Sequence, residues 1–66
     1  MKFHVDNMKC NGCVAAVKEL LEAMPGSRQV VVDLEGKWAQ VQGEIDGEKA
    51  IASLTEKGYP ARRIEP

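Results

Sequence analysis

Cys10 and Cys13, the only cysteines in the chain, stand two residues apart in Met8-Lys9-Cys10-Asn11-Gly12-Cys13, between a short apolar-alternating segment and an amphipathic helix pattern. Two thiols at a helix start can converge on one soft cation, and the unpaired N–H groups of the first turn favour the thiolate. Three chemistries use such a pair. Dithiol–disulfide exchange places it after a strand and before a helix, as here. Cluster or electron-transfer chemistry needs more thiolates than two. Metal binding through thiolates selects Cu(I), zinc or related soft ions. A closed zinc site takes four protein ligands, whereas this chain offers two thiolates and one histidine, His4. Cu(I) accepts two thiolates and stays open to a third from a partner, which suits delivery. Lys9 and the helix N-terminus offset the surplus negative charge of two thiolates on one monovalent ion, and they would equally favour a reactive thiol.

The elements that must position this pair follow from periodicity. Phe3 and Val5 alternate with Lys2, His4 and Asp6, which predicts a short strand ending near Asn7. From about Asn11 to Met24 the apolar set Val14, Val17, Leu20, Leu21 and Met24 recurs at helical spacing. Lys18, Glu19 and Glu22 form its wet face, with Lys18 and Glu22 in reach of each other. Pro25-Gly26 stops the helix. Val30, Val32 and Leu34 alternate with Val31, Asp33 and Glu35, Gly36-Lys37 turns the chain, and Ala39, Val41 and Gly43 return as a hairpin. Asp46 is the expected N-cap of a second helix that turns Ala50, Ile51 and Leu54 inward and ends at Gly58. A last strand, near Ala61 to Glu65, follows Pro60 and belongs at a sheet border, because proline cannot serve a central strand. The order strand, helix, strand, strand, helix, strand is an α+β, ferredoxin-like βαββαβ open-faced sandwich: a four-stranded antiparallel sheet with both helices on one face.

Sixty-six residues make a single domain, 1–66, burying only about 60% of the surface of the unfolded chain. With one each of Phe, Trp and Tyr, the core is drawn from Val, Leu, Ile, Ala and Met. Nine basic and ten acidic residues leave a net charge of -1 with no basic block, so no nucleic-acid footprint is visible. The N-terminus lacks the apolar stretch of a signal peptide, and no segment has the length of a transmembrane helix, which gives a cytoplasmic expectation. In that reducing setting a vicinal cysteine pair is a metal or redox site more often than a structural disulfide.

The motif Met8-x-Cys10-x-x-Cys13 is followed by Val14 and Val17, the exit Leu21-x-x-Met24-Pro25-Gly26, the strand Val30-x-Val32-x-Leu34, the return Ala39-x-Val41, and Gly58-Tyr59. From end to end the chain resembles the heavy-metal-associated domain family, which includes CopZ-like bacterial copper chaperones and the N-terminal metal-binding domains of copper-transporting P-type ATPases. The resemblance implies that Cys10 and Cys13 bind Cu(I), that Met8 is a buried residue shaping the loop, and that Tyr59 lies on the loop beside the metal. It further implies a cytoplasmic copper(I) chaperone, not an enzyme. Such a carrier passes its ion by thiolate exchange to a copper-transporting ATPase or a copper-responsive repressor; the alternative is a metal-binding domain of such an ATPase. Zinc or mercury binding and thiol–disulfide exchange are the lesser readings, the last because the chain is short for a thioredoxin-like fold. Asn7 stands where the family usually has glycine, and Ser27 where an apolar residue commonly follows Pro-Gly. Lys9, where zinc-selective relatives often have an acidic residue, weighs against zinc.

Each candidate also has a plain reading. Met8 carries a thioether, a Cu(I) ligand type, yet beside an apolar segment it is expected to pack. His4 is expected to be a solvated strand residue. Trp38 falls on the open sheet face, near Val31, as cross-strand packing. Tyr59 either shields the thiolates or simply edges the core. Gly12 frees the backbone for the two sulfurs to converge. Arg62 and Arg63 are solvated ends of the edge strand. The apo chain is expected to be monomeric, and two exposed thiolates per copy permit a copper-bridged dimer.

Overall fold

The computed structural model describes residues 1–65. It contains β1 (Lys2–Val5), α1 (Asn11–Glu22), β2 (Ser27–Asp33), β3 (Trp38–Gly43), α2 (Gly47–Glu56) and β4 (Ala61–Glu65). The strands form one antiparallel sheet in the order β2-β3-β1-β4. This is the predicted βαββαβ architecture, with β4 at the border as Pro60 requires. The two central strands, β1 and β3, pair regularly, whereas β1–β4 shifts register between Lys2 and Phe3 and β2–β3 between Ser27 and Gln29.

Alternation buries one face of the sheet. Phe3, Val5, Val30, Ala39 and Val41 meet Val17 and Leu21 of α1 and Ala50 and Leu54 of α2, with Met8 and Ile45 closing the ends of this core. Asp46 caps α2 as expected, its Oδ1 accepting from the N–H groups of Glu48 and Lys49 at 3.0 and 3.2 Å, worth about 1 kcal/mol. At the other end of α2, Gly58 adopts φ +94°. Its N–H donates to Thr55 and that of Tyr59 to Leu54, a Schellman stop that directs Tyr59 back onto the core.

Three boundaries depart from the sequence pattern. Helix α1 ends at Glu22 and leaves Met24 in the following turn. Strand β2 begins at Ser27, before any alternation, because pairing with Gly43 extends it. Leu34 belongs to the turn, where Asp33 Oδ2 accepts from the Gly36 N–H at 3.1 Å and Lys37, not Gly36, takes the left-handed conformation (φ 55°). Among the described residues Lys2 pairs with Glu65, and His4 Nδ1 lies beside Asp6 Oδ1, whereas Lys18 and Glu22 do not pair. On the open face the Lys2 ammonium lies 4.4 Å from the Trp38 ring centroid. Lys2 therefore covers one face of the tryptophan.

Candidate metal centre

The β1–α1 loop and the start of α1 carry the thiols. Cys10 is the last residue before α1, in extended backbone, and its carbonyl accepts from the N–H groups of Cys13 and Val14 at 3.0 and 3.2 Å. That first turn brings Cys13 back over Cys10, and the two Sγ atoms lie 3.7 Å apart as free thiols. Cys10 is exposed and Cys13 half-buried against the core. Gly12 between them is helical, and a Cβ there would meet Cys10 Sγ at 3.6 Å, an ordinary contact. Its place is thus beside the sulfur, without a special backbone conformation.

The Cys13 thiol is lowered to about 7. The backbone N–H of Lys9 contributes most, followed by hydrogen bonding from the Tyr59 hydroxyl and the Cys10 thiol, while partial burial opposes them. Tyr59 is raised in return, because its proton is shared toward Cys13, it is partly desolvated, and both cysteines would carry charge beside it. The tyrosine therefore remains a donor and the cysteine becomes the acceptor. Lys9 acts on the site through its backbone, and its side chain is exposed.

Met8 is 1% exposed and packs in the core beneath the loop. His4 sits in β1 between Trp38 and Arg62, with Nδ1 3.4 Å from Asp6 Oδ1. Among the described residues no group of three or more His, Cys, Asp or Glu side chains can hold an ion. The thiol pair thus offers two soft donors on an open surface. A shallow groove of about 390 Å³ between α1 and the turn after α2 reaches Tyr59, but neither cysteine lines it. With metal–sulfur bonds of about 2.3 Å, as for zinc, the observed spacing lets both sulfurs bind one ion at a bent angle. A linear two-coordinate ion would need them about 4.6 Å apart, a movement open to the exposed Cys10.

One feature of the site is invisible in periodicity. The Asn7 side-chain amide donates to the Gly58 carbonyl at 3.1 Å and joins the cysteine loop to the Tyr59 loop. The only hint in the sequence is an asparagine where the resembling family has glycine.

Comparison with known proteins agrees with this geometry. The chain is 36% identical over 63 residues to the chloroplastic copper chaperone for superoxide dismutase of Oryza sativa subsp. japonica, covering 96% of this chain and 20% of that protein. It is 33% identical over 57 residues to the mercuric reductase of Acidithiobacillus ferrooxidans, covering 83% of this chain and 10% of that enzyme. The chain thus spans a fifth or less of these two relatives. In structure it superimposes on a copper-binding domain of a P-type ATPase with a TM-score of 0.91 at 20% identity, over 98% of this chain and 92% of that one, a likeness of fold. No described helix is long and apolar enough to cross a membrane. The heavy-metal-associated domain model matches residues 2–60, spanning the strand, the thiol loop and the Tyr59 loop just described, and the chain belongs to that family.

Proposed function

We propose that this chain carries one Cu(I) on Cys10 and Cys13 in the cytoplasm and passes it on by thiolate exchange. The acceptor would be the metal-binding domain of a copper-transporting P-type ATPase or a copper-responsive regulator. The observation that carries this reading is a pair of free thiols 3.7 Å apart on the surface, one of them titrating near 7, with no third ligand within the described residues. Two soft thiolates suit Cu(I), and an open site admits an acceptor sulfur before a donor sulfur leaves. The exposed Cys10 is placed to be exchanged first, while Cys13 is held by Lys9 and Tyr59. Each acceptor thiol loses its proton as it binds, and each released cysteine regains one, so the transfer needs no oxidant. Lys9 and the exposed end of α1 would form part of the docking surface.

A second reading, a metal-binding domain within a larger transporter, is supported by the likeness in fold to a copper-binding domain of a P-type ATPase. The two much longer curated relatives, which carry this module within larger proteins, support it as well. Both readings share the ion and the ligands. An anaerobic Cu(I) titration of reduced protein against a chromogenic chelator, with Zn(II) in parallel, tests them. Uptake of one Cu(I), abolished in the Cys10→Ser, Cys13→Ser double variant without loss of fold, is expected. A preference for Zn(II), or no uptake against the chelator, would overturn copper delivery.

A further inference from the structure

We propose that Asn7 is a positioning residue of the metal centre, its side-chain amide clamping the Tyr59 loop onto the cysteine loop and so slowing release of the ion. The proposal rests on the reading that Cys10 and Cys13 hold Cu(I). Asn7 occupies left-handed backbone at φ 69°, a conformation that asparagine tolerates better than most side chains. From there its Nδ2 lies 3.1 Å from the Gly58 carbonyl, 51 residues away in the chain. A carbonyl only accepts, so the nitrogen of the amide, not its oxygen, must face it.

The Tyr59 loop is otherwise held from the α2 side. The N–H groups of Gly58 and Tyr59 are bound by Thr55 and Leu54, which leaves the Gly58 carbonyl for Asn7. On the cysteine side the Asp6 N–H donates to the Pro60 carbonyl at 2.8 Å, a backbone contact that any residue at position 7 would keep. The amide is thus a separate strap, carried by a side chain, one residue from Tyr59 and three from Cys10. Opening it frees the Tyr59 loop, which begins one residue beyond the strap, to move away from the cysteine loop. Glycine at position 7 fits the backbone and has no strap, and because it also frees the unfolded chain, Asn7→Asp serves as the size-matched comparison.

The test compares wild type, Asn7→Gly, Asn7→Asp, Tyr59→Phe and the Asn7→Gly, Tyr59→Phe double variant, each loaded with one Cu(I), by the rate at which excess chromogenic chelator removes the ion. Aspartate keeps the size and the left-handed tolerance but is acceptor-only when ionised. Both Asn7 variants are expected to lose the ion about three- to tenfold faster, the scale of one hydrogen bond. Tyr59→Phe is also expected to be faster, and the double variant no faster than Tyr59→Phe alone. Release from Asn7→Asp at the wild-type rate, or effects that multiply in the double variant, would overturn the clamp. If wild type takes up no Cu(I), the functional reading fails, and the clamp is read in metal-free protein from the nuclear Overhauser contact between the Tyr59 ring and the Cys13 side chain. Weakening in both Asn7 variants supports the clamp, and an unchanged contact overturns it.

Discussion

Two sets of loops close the sandwich, one at each end, and both use left-handed backbone. At the end away from the thiols, Gly26 (φ 89°) and Gly43 (φ 124°) lie against each other, and Glu44 N–H donates to the Gly26 carbonyl at 3.1 Å. A Cβ on Gly43 would strike the Gly26 carbonyl, and one on Gly26 the Glu44 carbonyl. At the thiol end, Asn7 and Gly58 also have positive φ, but a Cβ on Gly58 would meet nothing within 4 Å and one on Gly12 only the edge of Cys10. One end is locked by backbone against backbone. The other is tied by the Asp6–Pro60 backbone contact and the Asn7 amide, with open space at Gly58. The backbone lock and the two free thiols thereby stand at opposite ends of the sandwich.

Substitutions can break or sharpen this division. The largest effect is expected at the locked end: Gly43→Ala combines a forbidden φ with a backbone collision and should destabilise by about 4 kcal/mol, read from urea denaturation. A change below about 1 kcal/mol would show that the two loops can part cheaply, and the contrast would fail. Met8→Ala comes next, at about 3 kcal/mol, because this member of the thiol end belongs energetically to the core. Copper stoichiometry in that variant should stay at one ion as long as it folds.

A smaller effect concerns protons. Since the folded Cys13 thiol titrates near 7, below an ordinary cysteine, the unfolded chain binds more protons above that pH. The contribution of this thiol to apo stability is therefore complete above the unfolded value and is lost as pH falls through about 7. Tyr59→Phe should move the Cys13 alkylation midpoint upward without restoring an ordinary value, since the Lys9 N–H, the leading cause, remains. An unmoved midpoint would remove the tyrosine from the site. The smallest change is Gly12→Ala, expected to stabilise α1 by about 0.5 kcal/mol with metal uptake unchanged. Loss of uptake would mean that the space beside Cys10 is required for the ion.

Much of this architecture is legible in the chain, because alternation and helical spacing report burial directly. Phe3 and Val5, Val17 and Leu21, Val30, Ala39 and Val41, and Ala50 and Leu54 all reach the core from pattern alone. The N-cap at Asp46 and the border position of β4 follow from local chemistry. Ser27-Arg28-Gln29 does not announce itself as strand, because its partner across the sheet, rather than its own side chains, puts it there. Likewise, the strap between Asn7 and Gly58 joins residues that share no local pattern. The two thiols are evident from spacing, and Met8 is buried as a methionine beside an apolar segment should be. The unequal environments of Cys10 and Cys13 arise only in the folded loop, from the Lys9 N–H first and the Tyr59 hydroxyl second.

The register shifts have a consequence for how the molecule behaves in company. Both fall where an edge strand meets the sheet, at Ser27/Gln29 on β2 and at Lys2/Phe3 beside β4, while the central β1–β3 pair is regular. An edge strand presents unpaired backbone groups to any passing chain, and β2 carries the run Val30-Val31-Val32 along such an edge. A kink at the start of that strand interrupts the straight ladder that a second copy would need for continuous pairing. The irregular rims thus shorten the straight edge open to such pairing, leaving the regular run from Val30 to Val32 as its core.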